Sequence, residues 1–148
     1  MLMTSMDTMF MKAALDEAFQ GLKEGGIPIG SVLTINEKIV GRGHNRRVQS
    51  GNPILHGEMD CLQNAGRLKA KDYQRATLYT TLSPCDMCTG TIKIPRVVMA
   101  ENTTFRGGED LLLKRGVEVI NMNVPEAITL MRNFIKAHPE LWNEDIGV

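Results

Sequence analysis

Apolar and polar positions along this chain repeat with two periods. From Met6, the segment "MDTMFMKAALDEAFQGLKEGG" places apolar residues three and four apart, which predicts an amphipathic helix stopped by Gly25 and Gly26. The five residues before it read as a loose, disordered start. "IPIGSVLTI" and "KIVGRGHN" then concentrate Val and Ile on either side of Asn36-Glu37, the pattern of a β-hairpin. "ATLYTTL", "RVVMA" and "VEVINM" predict three more strands. Interleaved with them, "HGEMDCLQNAG", "PCDMCTGTIK" and "GGEDLLLKRG" predict short helices. Pro84 is tolerated at the start of the second, where no intrahelical N–H is needed. A final helix is expected to start near Pro125 and stop before Pro139. Strands alternating with helices predict an α/β fold: a three-layer α-β-α sandwich around a five-stranded sheet, which the early hairpin makes mixed.

No repeat, low-complexity tract or linker interrupts this order, so residues 1–148 read as one domain. A hydrophobic fraction of 43% against 23% charged residues supports a packed core rather than disorder. Seventeen basic residues balance seventeen acidic ones, so no global field draws the chain to nucleic acid or to an anionic membrane. The local "RGHNRR", with Arg42, Arg46 and Arg47, reads as a solvated loop. No apolar run approaches the roughly 20 residues of a membrane span. "MLMTSMDTMFMK" lacks the basic start and unbroken apolar stretch of a signal peptide. Three cysteines, two of them in a Cys-x-x-Cys, make a poor disulfide framework and fit a reducing compartment. The cytoplasm is the expected location, with the nucleus also open to the protein.

The chemistry is concentrated in "HGEMD" and "TLSPCDMC". Cys85 and Cys88 are three apart, so both sulfurs can face one point from the first turn of a helix. The partial positive charge at that helix start favours the thiolate form that binds metal. His56, opening the other short helix, can supply a third ligand. Three protein ligands with a fourth position open to water define a catalytic rather than a structural zinc site. Glu58, two residues beyond His56, can reach that water without itself ligating the metal. Alone, a Cys-x-x-Cys fits structural zinc or a redox pair, and a His-x-Glu carries little information. Joined, each after a strand-like segment and each opening a helix, they predict catalytic zinc. His-x-Glu followed by Pro-Cys-x-x-Cys is the general signature of zinc-dependent nucleobase deaminases.

The resemblance extends beyond that signature. "EGGIPIG", "GRGHN", "LHGE", "LYTTLSPCDMCTG", "IPR" and "WNEDIG" resemble the fungal, yeast-type cytosine deaminases, in the same order from roughly residue 6 onward. The resemblance implies a cytidine deaminase-like fold, a homodimer, one zinc per subunit, and hydrolysis of cytosine to uracil and ammonia in pyrimidine salvage. His56, Cys85 and Cys88 then hold the zinc. Glu58 moves protons from the activated water to ring N3 and to the departing amine. Asn45 bonds the pyrimidine edge, the Gly57 N–H meets the ring carbonyl, and the Ser83 carbonyl accepts from the exocyclic amine. Asp145 contacts that amine as well. Phe105 and Trp142 wall the pocket and Ile29 lies beneath the ring; for these three, ordinary core packing is the competing reading. His44, Cys61 and His138 carry no partner pattern and read as structural or exposed.

Three rival functions stay open on the residues. A guanine deaminase needs a larger pocket, and a tRNA adenosine deaminase needs a basic groove that zero net charge does not favour. A non-catalytic zinc-stabilised binding domain has no use for Glu58. The expected partner is a small pyrimidine base, not nucleic acid or membrane, because a "WNEDIG" tail across the pocket leaves no room for ribose. One departure from the family stands out: after Cys88 the chain reads "TGTIKIPRVVMAEN", about three residues short of the family pattern before "IPR". The helix opened by Cys85 is therefore expected to lose most of a turn at its far end. The zinc ligands should stay in place, while the subunit interface is altered or weakened.

Overall fold

The computed structural model describes residues 3–91 and 93–148. Eight helices and five strands run in the order α1 (Ser5–Lys23), β1 (Gly30–Ile35), β2 (Lys38–His44), α2 (Arg47–Ser50), α3 (Gly57–Ala65), α4 (Ala70–Tyr73), β3 (Ala76–Thr80), α5 (Asp86–Thr91), β4 (Arg96–Met99), α6 (Glu109–Lys114), β5 (Glu118–Asn121), α7 (Pro125–Ala137) and α8 (Pro139–Ile146) among the described residues. Of the five residues expected to be loose, the first two lie outside the described residues. The Thr4 N–H donates to Asp7 in a capping box that opens α1.

The sheet order is β2-β1-β3-β4-β5. β1 pairs antiparallel with β2 and β3, and β3-β4 and β4-β5 are parallel, so the sheet is mixed as expected. Asn36 and Glu37 both have positive φ, the two-residue turn whose twist matches a hairpin. Side-chain alternation divides the core in two. Val32, Tyr79, Val98 and Ile120 point to one face, where they meet Phe10, Met11, Ala14 and Leu15 of α1 and Ala127 of α7. Leu33, Leu78 and Val97 point to the other, against Cys61 of α3 and Leu112 of α6. Gly41 and Gly43 let α3 lie directly on β2: a Cβ on Gly41 would stand 2.6 Å from the Ala65 Cβ, and one on Gly43 2.6 Å from the Cys61 amide nitrogen. That contact sets the position of α3, and with it His56 and Glu58. No helix among the described residues is long and apolar enough to cross a membrane.

Two elements differ from expectation. α5 begins at Asp86, with the Cys85 carbonyl accepting from the Thr89 N–H at 2.9 Å, so Pro84 precedes the helix rather than starting it. α7 starts at Pro125 and ends at Ala137, before Pro139 as expected, but a further helix follows: Pro139 stands at the first turn of α8, where its missing N–H costs nothing.

A buried ion pair ties the layers together. Arg96 grips fully buried Asp7 with two bonds, Nη1 to Oδ1 at 2.9 Å and Nη2 to Oδ2 at 2.7 Å, and the Tyr79 hydroxyl donates to Oδ1 at 2.7 Å. Burial opposes the charge on Asp7, but Arg96, Tyr79 and the Thr4 N–H together hold its carboxyl well below the usual range. Asp7→Asn leaves Arg96 with only the part-exposed Glu118 carboxylate, 3.5 Å from its Nε, and is expected to cost about 3 kcal/mol. Urea unfolding at fixed protein concentration should show a lower midpoint with an unchanged slope.

His44 makes a second tie, between β2 and α1. Its Nδ1 stands 2.8 Å from Glu17 Oε1 and its Nε2 2.8 Å from Glu24 Oε1, and only the doubly protonated ring donates to both. Burial works against that charge, yet the two carboxylates outweigh it and His44 titrates above its ordinary value. Glu24 is held down to about 2, by Gln20 and then by His44. The sign follows from linkage: the His44 contribution is full below its unfolded pKa of about 6.5 and is lost as pH rises through the folded value. The Glu24 contribution is present above the ordinary carboxylate range and is lost as pH falls toward 2. Thermal melts from pH 5 to 9 should therefore show the gap between wild type and His44→Gln largest near pH 6 and narrowing on the alkaline side. A constant gap would mean a neutral ring.

Candidate active site

Two helix N-termini converge on one point. His56 is the N-cap of α3, and its carbonyl accepts from the Asp60 N–H at 2.9 Å. Cys85 immediately precedes α5, and Cys88 lies in its first turn. The Sγ atoms of Cys85 and Cys88 are 3.7 Å apart, and they stand 3.4 and 3.7 Å from His56 Nδ1. A tetrahedral zinc with bonds of about 2.3 Å to sulfur and about 2.05 Å to nitrogen needs S···S near 3.8 Å and S···N near 3.5 Å. The three donors fit that ion.

The protonation of the site agrees with the geometry. The hydrogen bond with Cys88, helped by His56, pulls the Cys85 thiol down to about 4, and the same bond together with burial pushes Cys88 up. One proton is shared between two sulfurs, and a divalent cation can replace it. Burial would lower the pKa of His56, but its bond to Cys85 and the charges of Asp145 and Glu58 leave it raised. Glu58 is buried beside them. Desolvation is the main cause of its rise to about 7, with His56 opposing and Cys85 adding to it. A carboxyl poised near neutrality can both take and give a proton.

A cleft of about 550 Å³ opens over this cluster. His56, Glu58, Ser83, Cys85, Ile29, Phe105, Trp142 and Asp145 all lie on its wall. The Phe105 and Trp142 rings meet edge to face, 5.9 Å apart at 86°. Asn45, Gly57 and Cys88 stand behind the wall. Asn45 is fully buried, and its Nδ2 donates to Asp145 Oδ1 at 3.0 Å. Gly57 packs against Ile29, where a Cβ would come 2.9 Å from the Ile29 carbonyl oxygen. As the first residue of α3, Gly57 has an N–H with no intrahelical acceptor.

Sequence reasoning missed several residues that shape this cleft. Arg47, read as part of a solvated loop, is largely buried on its wall and bonds Asp145 and Glu144. Glu109 is buried; it accepts from the Ser83 hydroxyl at 2.7 Å, and Ser83 Oγ in turn accepts from the Gly107 N–H at 3.0 Å. Glu101, also buried, accepts from the Thr103 and Thr104 N–H groups and the Thr104 hydroxyl, and so fixes the loop that carries Phe105. Buried acids in polar loops were the available signal, but nothing local names their partners. At the shortened segment, Arg115 Nη1 donates to the Thr89 carbonyl at 3.0 Å near the end of α5. The cost of the shortening was expected at the far end of this helix, where Lys93 comes close to Pro95; α5 ends at Thr91, and Ile92 lies outside the described residues.

A helix-covered mixed sheet with a His/Cys/Cys donor set and a buried glutamate defines a class of zinc-dependent hydrolytic deaminases, and residues 4–101 match the cytidine and deoxycytidylate deaminase zinc-binding region. The chain belongs to that family. Within it, the chain is 53% identical to the cytosine deaminase of Candida albicans, over 98% of this chain and 99% of that one. A tRNA-specific adenosine deaminase of Streptococcus pyogenes is 39% identical over 71% of this chain and 69% of its own length. A structure from work on A-to-I editing by tRNA:A34 deaminases superposes with a TM-score of 0.70 at 24% identity, covering 83% of this chain and 99% of that one, and supports the fold.

Proposed function

We propose that the protein hydrolyses cytosine to uracil and ammonia, acting in pyrimidine salvage. The observation that carries this reading is α8: it lays Trp142 and Asp145 over a cleft whose floor is the zinc-ligand cluster, leaving a slot for a planar base. Identity of 53% over nearly the whole of both chains to a cytosine deaminase supports it. His56, Cys85 and Cys88 would hold a zinc ion, which when bound would activate water as a nucleophile at neutral pH. Glu58 takes one proton from the attacking water and delivers it to ring N3, then takes the second from the new C4 hydroxyl and gives it to the amine, so that the C4–N bond breaks as the C4 carbonyl forms. Protonated N3 makes C4 electrophilic, and the uncharged form of Glu58 is accessible near pH 7. Asn45 and the Gly57 N–H hold the pyrimidine edge, while the Ser83 carbonyl and Asp145 take the exocyclic amine. Phe105, Trp142 and Ile29 sandwich the ring and exclude water.

We infer a homodimer in the cytoplasm with one zinc per subunit. Exposed Ile54 and Met87 stand beside the two ligand-bearing helices and suit a subunit contact, which the shortened segment before Pro95 should weaken. Sedimentation across a dilution series, against a variant with three residues restored before Ile94, tests that. For the activity, zinc-loaded protein is incubated separately with cytosine, cytidine, guanine, adenine and an adenosine-bearing tRNA stem-loop, and ammonia is followed. Release from cytosine alone is expected. Release from guanine or from the stem-loop, with none from cytosine, replaces this reading with one of its rivals.

A further inference from the structure

We propose that Arg47 is the latch of a lid formed by α8, holding Asp145 in place and setting how readily the cleft opens to exchange base for product. The inference rests on the reading that the cleft takes a pyrimidine base. Arg47 begins α2, and its own N–H donates to Asn45 Oδ1 at 3.0 Å. Its Nε donates to the Pro53 carbonyl at 2.8 Å, which fixes the plane of the guanidinium. Nη1 then reaches two consecutive carboxylates of α8, Glu144 Oε2 at 2.7 Å and Asp145 Oδ1 at 3.3 Å.

The two halves of this latch differ in kind. The side chain of Glu144 is 59% exposed and that of Asp145 only 4%, with Arg47 at 12% between them. The outer contact lies in water, is screened by salt and breaks readily. The inner one is desolvated, and its carboxylate also accepts from Asn45 and stands 3.6 Å from His56 Nε2. Without Arg47, neighbouring carboxylates 144 and 145 repel each other, and Asp145 loses the cation that keeps its charge inside the cleft. The remaining hold on α8 is the Asn45 bond to Asp145, the nearby His56 ring, and the apolar packing of Trp142 among Ile29, Leu82, Met131 and Phe134. Arg47 is thus a positioning residue that acts through Asp145.

Trp142 is the sole tryptophan of the chain and lies on the lid itself, so its fluorescence reports the latch directly. Acrylamide quenching of the zinc-loaded protein without base should rise about twofold in Arg47→Gln, rise less in Glu144→Gln, and fall between wild type and Arg47→Gln in Arg47→Lys, which keeps the charge but loses the Nε bond to Pro53. Added salt should raise quenching in wild type but not in Arg47→Gln. Stopped-flow release of uracil should quicken about tenfold in Arg47→Gln and about two- to fivefold in Glu144→Gln, with the KM for cytosine rising while kcat holds or increases. If Arg47→Gln fails to fold, the exposed Glu144→Gln breaks the same contact from the lid side. Wild-type quenching and wild-type uracil release in whichever variant folds overturn the latch. Failure of wild type to bind uracil or turn over cytosine would instead strike the reading of the cleft, and the quenching result would still decide the latch.

Discussion

Glu58→Gln is expected to keep about one zinc per chain and lose at least 10²–10⁴-fold in turnover of cytosine. The amide matches the carboxyl in size and fits the buried position, but it cannot carry a proton from water to N3 or on to the amine. The substitution also removes a carboxyl whose ionisation is opposed by burial. Thermal stability should accordingly hold or increase, which separates a chemical defect from a folding one. Zinc content, melting temperature and ammonia release, measured on one preparation, give the three readouts. Turnover within tenfold of wild type would take the proton shuttle away from Glu58.

The second large effect is loss of the metal. His56→Ala, Cys85→Ala and Cys88→Ala each remove one of three donors that lie within bonding geometry of a single ion. In a three-ligand site no spare protein donor takes over, so zinc content should fall from about one per chain to near zero, with activity lost alongside it. The cost should differ among the three. Cys88 is buried, so its removal leaves a cavity as well as a broken site, whereas Cys85 and His56 are only partly buried at helix starts. Metal content by elemental analysis, set beside melting temperature, distinguishes these contributions. A variant that retains full zinc does not belong to the ligand set.

What the chain discloses in its sequence follows the range of the interactions involved. Cys85 and Cys88 are legible because a separation of three is a fixed distance on a helix, and His56 and Glu58 because they open another helix. The hairpin at Asn36-Glu37 and the alternation in "ATLYTTL" are equally local. Asn45, Gly57, Ser83 and Asp145 came only through resemblance, since no periodicity marks a side chain that meets a ligand. Arg47 was misread because its partners lie 97 and 98 residues away, and a basic triplet near a turn ordinarily faces water. Asp7 with Arg96, and His44 with Glu17 and Glu24, escaped for the same reason. α8 was hidden by Pro139, which carries the same letter whether it ends one helix or begins the next.

The spread of the site along the chain also dictates the order in which it can be made. The three zinc ligands and Glu58 are synthesised within residues 56–88, while α8 emerges some fifty residues later. At the ribosome's pace of about 5–20 residues per second, the donors are available for seconds before the lid exists. The Asn45–Asp145 bond joins residues 100 apart, and closing so long a loop is paid for in chain entropy only once the intervening sheet has formed. A nascent or clipped chain ending before Pro139 would therefore carry the reactive centre with its cleft uncovered, and selectivity would be the last property the protein acquires.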